Sequence, residues 1–182
     1  TDSLIVGYRV NGGKADFIKI PREAVDRKCV FKAAEHLTAA EVSLAEPLGC
    51  VLNGASQYQT KIGDVVLILG AGPIGLLHAQ LNKQMGASKV IVSDPSAGRR
   101  EIATSLGATH TVDPTQTDLS AFVSELTDGL GADVVVICIG HGALVNQAFG
   151  LARKGGAVNA FAGFSKDSLA SVDPNLIHYG EL

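Results

Sequence analysis

Gly70-Ala71-Gly72-Pro73-Ile74-Gly75 spells G-x-G-x-x-G directly behind the apolar run Val65-Val66-Leu67-Ile68-Leu69 and ahead of a helical pattern. In that position the three glycines have separable tasks. Gly70 permits a tight turn off the strand, Gly72 lets the backbone approach a diphosphate with no Cβ in the way, and Gly75 lets helix and strand pack closely. Pro73 suits a first helical turn, where its missing N–H is no loss. The helix N-terminus presents free amides and a partial positive charge to phosphates, so the loop needs no basic side chain, and it has none. The pattern predicts a dinucleotide seat built from Gly70, Gly72, Pro73, Ile74 and Gly75. The alternatives are a turn that binds nothing, or a seat for FAD or S-adenosylmethionine.

Asp94 closes the next apolar run, Lys89 to Ser93, nineteen positions after Gly75. A carboxylate there is expected to accept hydrogen bonds from the adenosine ribose hydroxyls and to oppose a 2′-phosphate, which favours NAD over NADP. Arg99 and Arg100 follow early in a predicted helix. They read as solvated charges, with Arg99 lying over the adenine and either arginine able in principle to meet a 2′-phosphate.

From Gly63 onward, strand and helix patterns alternate. Strands are predicted at Val65 to Leu69, Lys89 to Ser93, Thr109 to Val112, Asp133 to Ile139 and Ala157 to Phe161. Helices are predicted at Pro73 to Met85, Ala97 to Leu106, Leu119 to Thr127 and Ala143 to Arg153. Such alternation predicts an α/β doubly wound parallel sheet of the Rossmann type, strands one to five, with ligands at the carboxyl ends of the strands. On that basis Gly140 and His141 behind the fourth strand, and Gly163 behind the fifth, are expected to border the nicotinamide end. Abundant glycine, 21 residues against 6 prolines, and a 46% hydrophobic content suit one close-packed core rather than disorder.

Upstream, Gly12-Gly13 followed by alternating apolar residues to Pro21 reads as a turn and a strand, the end of another unit. Thr38-Ala39-Ala40-Glu41 is a capping box, and a further helix is predicted from Pro47 to about Tyr58. We therefore divide the chain into residues 1–30, a remnant of a preceding domain, and residues 31–182, the nucleotide-binding domain. The start without methionine is compatible with an excised or processed piece. A net charge of −3 with no basic cluster argues against nucleic acid, and no apolar run approaches the length of a membrane span. Cys29, Cys50 and Cys138 form no C-x-x-C pair, which fits a reducing cytoplasm. Cys50 and Cys138 are expected to be inert in apolar surroundings. His36, His78, His110 and His178 have no metal-ligand spacing and read as structural or surface residues.

Taken together, these segments resemble the medium-chain dehydrogenase/reductase superfamily, in particular its zinc-type sorbitol and threonine dehydrogenase branch. Gly12 to Pro21 is similar to the strand that ends that family's N-terminal GroES-like catalytic domain. Ala45-Glu46-Pro47-Leu48 resembles the Glu-Pro-Leu element of the polyol branch, and Asn175 to Leu182 resembles the segment leading into the sixth Rossmann strand, a strand absent from this sequence. The resemblance implies a parent NAD-dependent, zinc-dependent alcohol or polyol dehydrogenase, with Glu46 binding the catalytic zinc or its water in the full-length protein. It also implies a small alcohol or polyol substrate, while the fifth strand, an exposed parallel edge with no sixth beside it, predicts a homo-oligomer. The isolated chain is expected to lack turnover. Two alternatives stay open: a zinc-free, quinone-reductase-like member of the same superfamily, and a non-catalytic NAD-sensing module.

Overall fold

A computed structural model describes residues 6, 7, 10–13 and 15–182. The chain forms two compact units, Thr1–Ser43 and Leu44–Leu182. In the first, α1 (Arg22–Asp26) follows Pro21, and α2 (Ala39–Ser43) opens on the expected capping box. The Thr38 amide donates to the Glu41 carboxylate at 2.7 Å, and the Glu41 amide donates back to the Thr38 hydroxyl at 3.3 Å. The expected strand before Pro21 is not formed, and Lys14 of that stretch lies outside the described residues. Phe17, Ile18 and Ile20 are exposed and unpaired with any strand, and an alternating segment becomes a strand only where a neighbour takes its backbone hydrogen bonds.

The second unit carries α3 (Ala45–Tyr58), β1 (Val65–Leu69), α4 (Pro73–Gln84), β2 (Lys89–Ser93) and α5 (Ala97–Ser105). It continues with β3 (His110–Val112), α6 (Leu119–Leu126), β4 (Ala132–Ile137), α7 (Ala143–Leu151), β5 (Ala152–Ala160) and α8 (Pro174–Gly180). The strands pair in parallel in the order β3-β2-β1-β4-β5. This is the expected doubly wound sheet, and its order reverses between β1 and β4. Successive strand residues point to opposite faces, and here both faces are covered, which is why the strands read as unbroken apolar runs. Val66, Ile68, Val90, Val92, Val134 and Val136 bury with Ala79 and Ala103 on one side. Leu67, Leu69, Ile91, Val135 and Ile137 bury with Leu119, Val123, Ala148 and Leu151 on the other.

Several boundaries differ from the sequence reading, most of them by one or two residues. Helix α3 starts at Ala45, two residues before Pro47, because a proline is tolerated within a first turn whose amides have no helical partner. Helix α7 stops at Leu151 rather than at Arg153, and β5 begins at once. The Arg153 guanidinium there pairs with the Asp133 carboxylate at the start of β4, and the other Asp133 oxygen accepts the Val65 amide at 2.7 Å. One side chain thus clips β1, β4 and β5 together at their amino ends. The β4–β5 register shifts between Ala132 and Val134, with Gly155 at φ +68° absorbing the extra residues. Helix α8 was not anticipated; Asp173 caps it by accepting from the Asn175 amide at 2.9 Å, and Pro174 opens its first turn.

Candidate functional site

At the carboxyl ends of the strands, hydrogen bonds carry the ladder one or two residues beyond β1, β2, β4 and β5. The Gly70 amide donates to the Ser93 carbonyl (2.8 Å), Asp94 to Val112 (3.1 Å), Cys138 to Leu69 (2.9 Å) and Ala162 to Ile137 (2.9 Å). The loops behind all five strands therefore leave from one level edge, and the crevice between β1 and β4 lies where the strand order reverses.

Each motif glycine occupies a different steric situation. Gly70 sits at φ +105°, and a side chain there would strike Ile139 at 2.5 Å. A Cβ on Gly75 would lie 1.9 Å from the Gly70 carbonyl oxygen, so α4 can leave β1 at this angle only with glycine. A Cβ on Gly72 would meet nothing within 4 Å; the space above it is open. Gly72 caps α4 with extended backbone, Pro73 opens the helix, and the Leu76 amide, bonded to the Gly72 carbonyl at 2.9 Å, is the first to find a helical acceptor. The amides of Ile74 and Gly75 precede it and face out of the helix end. The cradle thus fits a diphosphate: backbone donors, no Cβ over the open glycine, and a positive helix end.

Asp94 lies immediately beneath this loop. Its carboxylate is 3% exposed and accepts from the Ala71 amide at 2.9 Å and from the Ser96 amide at 2.8 Å. One motif amide is therefore held by the carboxylate. Arg99 approaches the same carboxylate from the solvent side, its Nη1 3.8 Å away and its side chain largely exposed. Arg100, read from sequence as solvated, is instead half-buried. Its guanidinium donates to the Asp94 carbonyl at 2.6 Å and to the Asp113 carboxylate at 3.2 Å. Asp113 also accepts from the Thr115 hydroxyl and amide, and these bonds, ahead of the Arg100 charge, hold its carboxyl below the ordinary carboxylate range. The signal for this was present: Asp113 stands behind β3 as Asp94 stands behind β2.

Behind β4 and β5, Gly140 and Gly163 come together. A Cβ on Gly140 would lie 2.2 Å from the Gly163 carbonyl oxygen, so the two loops touch backbone to backbone. His141 is exposed, its amide folded back to the Ile139 carbonyl at 2.9 Å. Glu46 stands apart in the first turn of α3, exposed, with the Cys50 thiol donating to it at 3.4 Å. Cys50 is thus a surface residue rather than an apolar one; the Glu46 carboxylate raises its thiol pKa, so it is still a poor thiolate. Burial pushes Cys138 up to about 12. Among the described residues no three His, Cys, Asp or Glu side chains gather to hold a metal ion, so these residues do not by themselves form a zinc site.

His78 is a core residue, as its lack of ligand spacing suggested, but its network was not foreseen. Its Nδ1 lies 2.9 Å from the Tyr58 hydroxyl, which accepts from Asn82 Nδ2 at 3.0 Å, while Asn82 Oδ1 accepts from Thr60 at 2.5 Å. With Asn82 donating to it, the Tyr58 hydroxyl is free to donate to Nδ1, which leaves the ring proton on Nε2. That nitrogen is buried without a partner, and the ring packs edgewise on Phe161 at 4.7 Å. Residues 78 and 82 are one helical turn apart on the buried face of α4, a polar pair at an apolar position.

With this geometry in view, the comparisons are specific. The family model described as zinc-binding dehydrogenase matches residues 73–182. The chain belongs to the zinc-binding dehydrogenase family. An L-threonine 3-dehydrogenase of Bacillus subtilis is 33% identical over 156 residues, covering 86% of this chain and 43% of that protein. A sorbitol dehydrogenase of Halalkalibacterium halodurans is 35% identical over 130 residues, covering 69% and 38%. Among solved structures, a protein of Sinorhizobium meliloti 1021 described as a zinc-binding dehydrogenase, bound to NADP, aligns with TM-score 0.88 and 35% identity over 97% of this chain and 51% of that one. One described as a short-chain alcohol dehydrogenase of Escherichia coli CFT073, complexed with NADH, aligns with TM-score 0.86 and 27% identity over 98% and 50%. The chain spans less than half the length of the curated relatives cited.

Proposed function

We propose that this chain is the NAD(H)-binding part of a zinc-dependent alcohol or polyol dehydrogenase, and that it binds the dinucleotide across the β1–β4 crevice. The observation that carries this is the open space at Gly72 beside the unpaired amides of α4, with the buried Asp94 carboxylate beneath. The two cofactor-bound neighbours and the family membership support it.

When bound, the nicotinamide supplies the hydride acceptor for oxidation of a secondary alcohol. The chain's own residues bind and orient it. The Gly72, Ile74 and Gly75 backbone takes the diphosphate, with Gly70 and Pro73 fixing the turn. Asp94 accepts from the ribose hydroxyls, Arg99 covers the adenine, and Gly140, His141 and Gly163 border the nicotinamide end. Residues 1–30 are read as the close of the preceding catalytic domain and residues 31–182 as the nucleotide domain, whose compact body begins at Leu44, and Glu46, exposed at the start of α3, serves the metal centre of the whole protein. No helix among the described residues is long and apolar enough to cross a membrane. Three free cysteines support a reducing, cytoplasmic location.

Titration of the 182-residue chain with NADH, read by nicotinamide fluorescence, tests the reading. Saturable binding is expected, and Asp94→Asn should weaken it about tenfold, the scale of a charge-assisted hydrogen bond. Absence of binding to the folded chain would refute it. We also propose homo-oligomerisation, supported by β5 standing at the sheet edge with β4 its only partner strand among the described residues. Sedimentation velocity should give a species heavier than 18.8 kDa; a strict monomer at high concentration would contradict it.

A further inference from the structure

The loops behind β1, β2 and β3 are joined by one continuous chain of polar contacts: Ala71 amide to Asp94 carboxylate, Asp94 carbonyl to Arg100, Arg100 to Asp113, Asp113 to Thr115. Two adjacent arginines enter this region on different terms. Arg99 is 61% exposed and 3.8 Å from Asp94, a loose pairing that a side chain of this length leaves readily. Arg100 is 20% exposed, and its Nη1 is engaged by both a carbonyl and a carboxylate. Asp113 is equally covered and gives one oxygen to Arg100 and the other to Thr115. The positive charge of Arg100 is thus neutralised by Asp113 and tethered to the Asp94 carbonyl rather than to the Asp94 carboxylate.

We propose that the Arg100–Asp113 pair determines dinucleotide specificity: it holds the Asp94 turn in the shape that grips a ribose diol, and it withholds Arg100 from a 2′-phosphate. This rests on the dinucleotide reading given above. Arg100 is a positioning residue, acting through Asp94, and Asp113 keeps its cation from becoming a phosphate ligand. A guanidinium forks readily onto phosphate oxygens when no carboxylate occupies it. Without Asp113, Arg100 would remain within reach of the Asp94 turn with its charge unspent, and the adenosine end would gain a second free cation beside Arg99.

The test titrates the full chain with NADH and with NADPH, comparing wild type, Asp113→Asn, Arg100→Leu and the double variant, with thermal melts reporting fold. In Asp113→Asn, NADPH affinity should rise relative to NADH affinity, so that the preference for NADH falls about tenfold, the scale of one charge-assisted contact. Arg100→Leu should also lower the preference, here by loss of NADH affinity with no gain for NADPH. In the double variant the NADPH gain should vanish. A purely structural role for the pair would weaken both dinucleotides equally, and an unchanged ratio in folded Asp113→Asn would overturn the proposal. Should Asp113→Asn fail to fold, an unchanged ratio in Arg100→Leu overturns it in the same way. Should wild type bind neither dinucleotide, the underlying reading fails, a distinct result.

Discussion

Replacing Gly75 by alanine is expected to cost about 3 kcal/mol or more of stability and to abolish NADH binding, whereas alanine at Gly72 should leave stability within about 0.5 kcal/mol yet still weaken NADH about tenfold or more. The two glycines sit three residues apart in the same motif and face opposite ways. A methyl group on Gly75 would lie 1.9 Å from the Gly70 carbonyl oxygen and 3.0 Å from its carbonyl carbon, so the helix has to move off the strand as a body. The atoms it would displace are backbone and cannot rotate aside. Gly72, at φ −71° and ψ 176°, has a conformation alanine adopts freely, and the space its methyl would fill is vacant in the protein alone. Chemical denaturation and NADH titration on the two variants separate the roles. Equal stability loss at both positions would contradict the assignment.

Acidification below neutrality is expected to remove about 3 kcal/mol of stability through His78 alone. Burial, with no compensating charge, lowers its pKa from an ordinary 6.5 to about 4. The unfolded chain therefore binds a proton at His78 near pH 6.5, while the folded chain refuses it until near pH 4. Between those values the unfolded state holds more protons, so stability rises with pH: it is complete above about 6.5 and falls progressively toward 4. Part of the barrier is structural. Nδ1 is occupied by the Tyr58 hydroxyl, and Nε2 has no acceptor to take the charge. Urea unfolding from pH 7.5 to 4 should show a slope approaching one proton in this window, and His78→Leu should flatten it. Matching pH profiles for the variant and the wild type would contradict this origin.

The parallel sheet was legible because five apolar runs separated by helical periodicity leave few other folds, and β1 and β2 lie where the residues placed them. The α7–β5 boundary was not, because long-range contacts meet there: Ala152 pairs with Ala132 of β4, and Arg153 reaches Asp133. The stretch before Pro21 shows the opposite failure, a good alternating pattern with no strand beside it. At the site, the glycine spacing announced its own stereochemistry, since the positive φ of Gly70 and the contact of Gly75 with the Gly70 carbonyl both arise within six residues of chain. Arg100 was misread because its partners, Asp94 and Asp113, meet it only once β2 and β3 lie side by side. The Tyr58–His78–Asn82–Thr60 network was invisible for the same reason, joining α3 to α4 across the buried face of the sheet.

The most direct measurement is a crystal structure of this chain grown with saturating NADH. The account predicts the diphosphate against the backbone of Gly72, Ile74 and Gly75, with the adenosine ribose on the Asp94 carboxylate. A crevice empty of NADH, or a dinucleotide held elsewhere with the glycine turn untouched, would contradict it.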